Sequence, residues 1–226
     1  MTRHIRFNVP ETTRDYHTRL RSSIVSLVTE CQESEQRQDI SILDVGCGRG
    51  ELIPELQATG AHVSGVDMEP QCVAMSSKYA DIKQGSIYEI EQLYGREQFD
   101  IVIASHILEH LESPKHGVES LAAVSKKRLI LAVPNLAEMR NLRWRIRDPG
   151  YVNRGHQVGW DAPHFNTFLV YACGLTVEKW QPDRVYLPRR LQSVAKLMGV
   201  TRRLQDNWLP SWFPLQSHSL IVLCRK

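Results

Sequence analysis

The 226-residue sequence has no apolar run near the ~20 residues that a membrane-spanning helix requires. Its first ten residues, Met1 to Pro10, are polar and carry no apolar stretch of a secretory leader. Cysteine is scarce and scattered: Cys31, Cys47, Cys72, Cys173 and Cys224 form no Cys-x-x-Cys pair. An odd set of this kind argues against a disulfide framework or a cysteine-rich zinc module and points to the cytoplasm. No internal repeat or low-complexity segment is present. Hydrophobic residues at 42% and charged residues at 23% exclude a disordered chain, and the length suits one α/β domain.

The net charge of +3 conceals an asymmetry. Residues 1–138 carry 14 Lys/Arg against 20 Asp/Glu, a balance of −6, whereas residues 139–226 carry 14 against 5, a balance of +9. A basic C-terminal part predicts an anionic partner.

Hydrophobic spacing predicts an amphipathic helix over Glu11–Cys31, with Tyr16, Leu20, Ile24, Leu27, Val28 and Cys31 on one face, followed by a connector to Asp39. Strands and helices then alternate. Strands are expected at Ile40–Val45, Ala61–Val66, Asp81–Gly85, Phe99–Ala104 and Arg128–Val133. Helices are expected at Glu51–Thr59, from Pro70 to about Ala80, and from Ile107 to about Ser125. That alternation implies a doubly wound, mostly parallel sheet with helices on both faces. Beyond Pro134 the pattern reads as a helix over Leu136–Arg147, an irregular insert over Asp148–Phe165, and a helix over Asn166–Cys173. A strand over Leu175–Trp180, a basic helix over Pro188–Leu204 and a closing strand over His218–Cys224 complete it.

The sharpest chemical signal is Asp44-Val45-Gly46-Cys47-Gly48-Arg49-Gly50-Glu51, at the first strand-to-helix turn. Glycines let a backbone turn tightly and let a ligand approach it, and such turns sit where parallel sheets bind ligands. Asp67, at the end of the second strand, suits the two hydroxyls of a ribose. The spacing is GxGxG rather than the GxGxxG of dinucleotide enzymes. Its flanking carboxylates would repel a pyrophosphate and suit a ligand with a ribose and a cationic end.

On these residues the sequence resembles the class I S-adenosylmethionine-dependent methyltransferases, in their small-molecule group. Leu43–Gly50 matches the first motif, Gly65–Met68 the second, Phe99–Leu111 the fourth-strand motif, and Leu129–Asn135 the fifth strand. The likeness is close over roughly residues 40–135. It implies a Rossmann-like fold of seven strands, the last antiparallel, in one domain. Residues 1–38 would form an N-terminal helix, 39–135 the cofactor-binding half and 136–226 the acceptor-binding half. The resemblance implies that Gly46, Cys47, Gly48 and Gly50 hold the methionine part of S-adenosylmethionine, with Asp44 orienting it directly or through water. It also implies that Asp67 binds the ribose and that Met68 packs on the adenine. Ser86 and Ile87 would meet the adenine edge, where relatives often carry an acidic residue. Ser105 and His106 would line the cleft beneath the sulfonium.

His106-Ile107-Leu108-Glu109-His110 also satisfies HxxEH, a zinc-protease pattern that needs one helix through both histidines. Because His106 sits where an apolar strand ends, no metal is expected there. Between Gly155 and Phe165 lie His156, Trp160, Asp161 and His164. Either this segment forms an acceptor pocket with His156 or His164 as general base, or Trp160 and Phe165 anchor a surface loop. A hydroxyl acceptor loses a proton as it attacks, so one of His106, His156 and His164 is the expected base.

Farther on, Arg189, Arg190, Lys196, Arg202 and Arg203 flank an apolar stripe of Leu191, Val194, Leu197 and Met198, before Trp208, Trp212 and Phe213. Arg140, Arg143, Arg145 and Arg147 surround Trp144 upstream. Such a part either covers the sheet or touches the inner membrane face, which would go with an anionic or lipid-linked acceptor. The expected function is O-methylation of a small-molecule or lipid-linked acceptor. An RNA-directed enzyme is disfavoured by the fourth motif, Ala104-Ser105-His106-Ile107, which lacks an Asn-Pro-Pro-Tyr sequence. A non-catalytic cofactor-binding partner protein is the remaining alternative.

Overall fold

The structure, a computed structural model, describes residues 11–138, 153 and 155–226. Helix α1 spans Glu11–Glu35 and is followed by β1 (Ser41–Val45), α2 (Ile53–Gln57), β2 (His62–Asp67), α3 (Pro70–Ser76), β3 (Asp81–Gln84) and α4 (Ile90–Tyr94). Then come β4 (Phe99–Ser105), α5 (Pro114–Val124), β5 (Ser125–Pro134), α6 (Ala162–Thr167), β6 (Thr176–Gln181), α7 (Arg189–Leu197) and β7 (Ser219–Arg225). The seven strands form one sheet in the order β3-β2-β1-β4-β5-β7-β6. The first five strands pair in parallel, and β7 inserts antiparallel between β5 and β6. This is the expected doubly wound fold.

The two-residue period of each central strand sorts its side chains into two cores. Ile42, Ile101, Ile103, Ile130 and Ile221 pack on one face against Leu20, Ile24, Leu27 and Val28 of α1. Leu43, Val102, Leu129, Leu131 and Val222 face the other side, against Val118 and Leu121 of α5 and Phe165 of α6. Each large side chain so buried contributes about 1.5–3 kcal/mol before entropy is counted.

Three helices differ from the sequence expectation, each for a local reason. The predicted Ile107–Ser125 helix is broken: a 3₁₀ turn occupies Leu108–His110, and α5 restarts at Pro114, whose missing N–H is harmless only in a first turn. Helix α6 starts at Ala162 rather than Asn166, because the Asp161 side chain accepts the His164 N–H at 3.0 Å and Pro163 lies in the first turn. The Pro188–Leu204 helix is interrupted at Gly199, with φ +68°, and a new helical segment starts at Thr201, running through a π-helical stretch over Leu204–Trp208 to Trp212. The predicted helix of 136–147, apart from Leu136, Ala137 and Glu138, lies outside the described residues. So do the four arginines around Trp144 and residues 148–152 and 154 of the insert.

Candidate functional site

The C-terminal ends of β1, β2 and β4 meet around the glycine turn. Gly46, Gly48 and Gly50 have φ of +69°, +55° and +73°. The N–H groups of Gly46 and Cys47 both donate to Val66 O, at 2.7 and 3.2 Å, which ties the turn to β2. A Cβ on Gly46 would lie 2.2 Å from Ile107 Cδ1, and one on Gly50 would lie 2.8 Å from Ser76 Cβ. A Cβ on Gly48 would meet nothing within 4 Å, so this glycine borders open space.

Asp67 closes β2 beside that space. Its Oδ2 accepts the Gly48 N–H at 2.8 Å, and its Oδ1 accepts the Glu69 N–H at 2.9 Å. Each carboxylate oxygen keeps acceptor capacity for a ligand hydroxyl. Next to it, Met68 is 64% exposed, an apolar platform without a covering group. Asp44, only 4% exposed, has its carboxyl pushed up to about 7 by burial and then by the Asp67 charge. A cation near this carboxyl would restore its ionised form. These features fit a ligand with a ribose, a flat apolar ring and a cationic end.

Cys47, Ser86 and Ile87, the other expected contacts, each have structural partners as well. Burial, then the Asp44 charge, pushes the Cys47 thiol up to about 12, and its Sγ lies 3.8 Å from Ser76 Oγ, so it packs rather than reacts. Ser86 caps the 3₁₀ turn Ile87–Glu89: its hydroxyl accepts the Tyr88 N–H and its own N–H donates to Glu89. The Ile87 side chain belongs to the core, leaving its backbone as the part available to a ligand.

Ser105 ends β4 opposite Ala132, and His106 follows with φ +57°, a left-handed conformation uncommon outside glycine. The His106 N–H donates to Ala132 O at 2.8 Å, its Nε2 lies 3.1 Å from Ser219 Oγ, and its Nδ1 lies 3.6 Å from Glu109 Oε1. Burial pushes the imidazole down to about 3, aided by the charges of His218, His17, His156 and His110. Five histidines from four segments therefore share one neighbourhood. Glu109 is buried beside them, which pushes its carboxyl up to about 8.

The segment after Gly155 is stitched onto this turn. Glu109 O accepts the Gln157 N–H at 2.8 Å, His110 Nδ1 bonds Gly155 O at 2.8 Å, and the His110 and His156 rings are 5.0 Å apart. His156 thus joins His106. His164 stays apart: its side chain is 79% exposed and bonds Asp161 at the start of α6. Trp160 and Phe165 are buried with ring centroids 5.3 Å apart, anchoring the segment to the core. Among the described residues, Glu109, His110 and His156 place one donor atom each within 4.8 Å of one another. His106 and His110 do not share a helix, so the zinc-protease arrangement is not formed.

Sequence reasoning missed His17, Asp183, His218 and Ser219. His218 bonds the buried carboxylate of Glu138 and stands edge-on to Tyr186. No motif surrounds these residues; they meet only because α1, β4 and β7 converge.

The sheet order, the glycine turn and the strand-end aspartate are those of the class I methyltransferase fold. The chain belongs to the methyltransferase domain family, whose model matches residues 14–168. It is 32% identical over 110 residues to the ubiquinone biosynthesis O-methyltransferase of Bradyrhizobium diazoefficiens, covering 47% of this chain and 42% of that protein. It is 33% identical over 90 residues to the Coxiella burnetii protein of the same name, covering 38% of each. The chain thus spans less than half the length of these curated relatives. Among solved structures, the magnesium protoporphyrin IX methyltransferase of Synechocystis with bound S-adenosylhomocysteine superposes with a TM-score of 0.64. The identity is 17%, over 97% of this chain and 89% of that one. A plantazolicin methyltransferase gives 0.64 at 15% identity, over 94% and 87%. At these identities the likeness is one of fold.

Proposed function

We propose that this protein transfers the methyl group of S-adenosylmethionine to an oxygen of a small-molecule or lipid-linked acceptor. The observation that carries the reading is the carboxylate pair Asp44 and Asp67 flanking an open glycine turn, with exposed Met68 alongside. Asp67 would take the ribose hydroxyls, Met68 the adenine face, and the Gly46–Gly50 turn with Asp44 the methionine part. When bound, the cofactor supplies a methyl carbon already activated by a sulfonium. The chain's task is then to align an oxygen, exclude water and accept a proton. His106, which directly follows β4, is neutral near pH 7 and so has a lone pair to accept it, although burial holds its basicity low. His156 lines the same neighbourhood.

Homology to O-methyltransferases supports oxygen as the methylated atom. The C-terminal part supports a peripheral contact with the inner face of a membrane. Leu191, Val194, Leu197 and Met198 of α7 and its end are exposed, Leu197 at 90%, and Trp212 at 79%. Leu191, Val194 and Met198 line a groove of about 480 Å³ together with Leu187, Leu204 and Trp208, and Arg203 lies over the Trp208 ring at 5.7 Å. Cations beside exposed aromatics suit anionic headgroups.

The test measures S-adenosylhomocysteine formation by the purified protein with phenols and aliphatic alcohols, free and carried on vesicle-embedded lipids. A hydroxyl acceptor that gives stoichiometric product supports the reading. Cofactor binding without turnover on any oxygen, alongside methylation of an amine or thiol, would overturn it.

A further inference from the structure

Two stretches of chain distant in sequence meet beside His106. The Glu109 carbonyl accepts the N–H groups of Gln157 at 2.8 Å and Val158 at 3.4 Å, and His110 Nδ1 lies 2.8 Å from Gly155 O. A carbonyl only accepts, so Nδ1 of His110 carries the hydrogen and its Nε2 keeps the lone pair. That Nε2 stands 3.9 Å from Glu109 Oε1. Glu109 is 1% exposed, and its Oε2 has no hydrogen-bond partner among the described residues. Glu109, His110 and His156 each bring one potential ligand atom to a cluster in which these atoms lie within 4.8 Å of one another.

We propose that Glu109, His110 and His156 bind a divalent ion of the zinc class, which clasps segment 155–158 onto the turn after β4. Two imidazoles and one carboxylate form a set that favours zinc over magnesium or calcium. Ligand atoms around a tetrahedral zinc ion sit roughly 3.3 Å apart, from bonds of about 2.0–2.1 Å, so binding draws these three together by about 1 Å. His110 already makes the second contact common to ligating histidines, its Nδ1–H on a backbone carbonyl. His156 needs only one ring nitrogen for the ion, which leaves the other to a protein partner. A buried carboxylate oxygen without a partner is unfavourable, and a cation on Glu109 offsets that penalty.

Three protein ligands leave a fourth position for water or another oxygen. Glu109 Oε1 is also 3.6 Å from His106 Nδ1, which sets the ion at the edge of the histidine cluster. There it fixes the segment that carries His156 against the turn that carries His106. The HxxEH pattern did not disclose this site, because the third ligand comes from the insert and not from the single helix that the pattern requires. The site is independent of the proposed methyl transfer and needs neither cofactor nor acceptor.

The test titrates tag-free, chelator-treated full-length protein with Zn²⁺ against a chromophoric chelator, without S-adenosylmethionine. One equivalent should bind, and excess Mg²⁺ should not displace it. Glu109→Gln, His110→Ala and His156→Ala should each weaken binding about a hundredfold. His62→Ala, at the exposed start of β2, should leave it unchanged. Zn²⁺ should also raise the melting temperature of the wild type but not that of His156→Ala. Should His110→Ala fail to fold, His156→Ala carries the test, since backbone bonds hold its segment in place. Absence of a stoichiometric site, or full affinity in His156→Ala, overturns the proposal. Failure to methylate any oxygen would count against the proposed function alone, because zinc binding is read without turnover.

Discussion

Asp67 Oδ2 accepts the backbone N–H of Gly48 at 2.8 Å, joining the end of β2 to the middle of the β1–α2 turn. The same carboxylate reads as the ribose acceptor, so the group that would hold the ligand also fixes the loop beside it. Preorganisation of this kind lowers the ordering that binding must otherwise impose.

Asp67→Ala is expected to weaken S-adenosylhomocysteine binding roughly ten- to hundredfold, through loss of charge-assisted hydrogen bonds. Calorimetry on the folded variant measures it; an unchanged affinity would remove Asp67 from the site.

Two glycines of one turn should respond differently to alanine. Both have positive φ, which costs a side chain about 1–2 kcal/mol. Gly50→Ala adds a clash with Ser76 and should lose roughly 2–4 kcal/mol of stability. Gly48→Ala points its methyl into open space, so it should lose less stability and more ligand affinity. Urea unfolding and calorimetry on both variants test this ordering, and equal stabilities would contradict it.

Asp44 makes the ligand-free protein less stable at higher pH. Below about pH 4 its carboxyl is protonated in folded and unfolded chains alike. As pH rises from there to about 7, only the unfolded chain releases the proton, so stability falls across that window and stays reduced above it. Asp44→Asn should therefore gain melting temperature over the wild type at pH 8 but not at pH 4. Parallel melting curves across that range would refute the assignment.

Asp206 holds two arginines: Arg19 of α1 at 2.6 Å and the buried Arg184, whose Nη2 lies at 3.1 Å. Asp206→Ala leaves the Arg184 guanidinium buried without this carboxylate and should cost about 3–5 kcal/mol. Chemical denaturation reads the loss; a change below 1 kcal/mol would show that water replaces the carboxylate.

Membrane contact predicts sedimentation with anionic but not neutral vesicles, weakened by salt and by Trp212→Ala. Binding to neither kind of vesicle would leave the exposed apolar residues of α7 to some other partner.

The strands were legible because short apolar runs between turn residues are local signals, and each central strand splits its residues between two faces by strict alternation. The glycine turn and its neighbouring aspartate were legible for the same reason: Gly46, Gly48, Gly50 and Asp67 lie at fixed offsets from two strand ends. Tertiary structure alone decided the histidine cluster. His106 resembled several things in sequence, and its left-handed backbone and its Ser219 neighbour follow from β7 entering the sheet beside β5. His156 and His164 looked equivalent, yet the bonds of its neighbours Gly155 and Gln157 to His110 and Glu109 draw the first inward, while the cap of α6 leaves the second in water. Asp183 and Ser219 carry no motif, since their pairing spans 36 residues and depends on strand order rather than spacing.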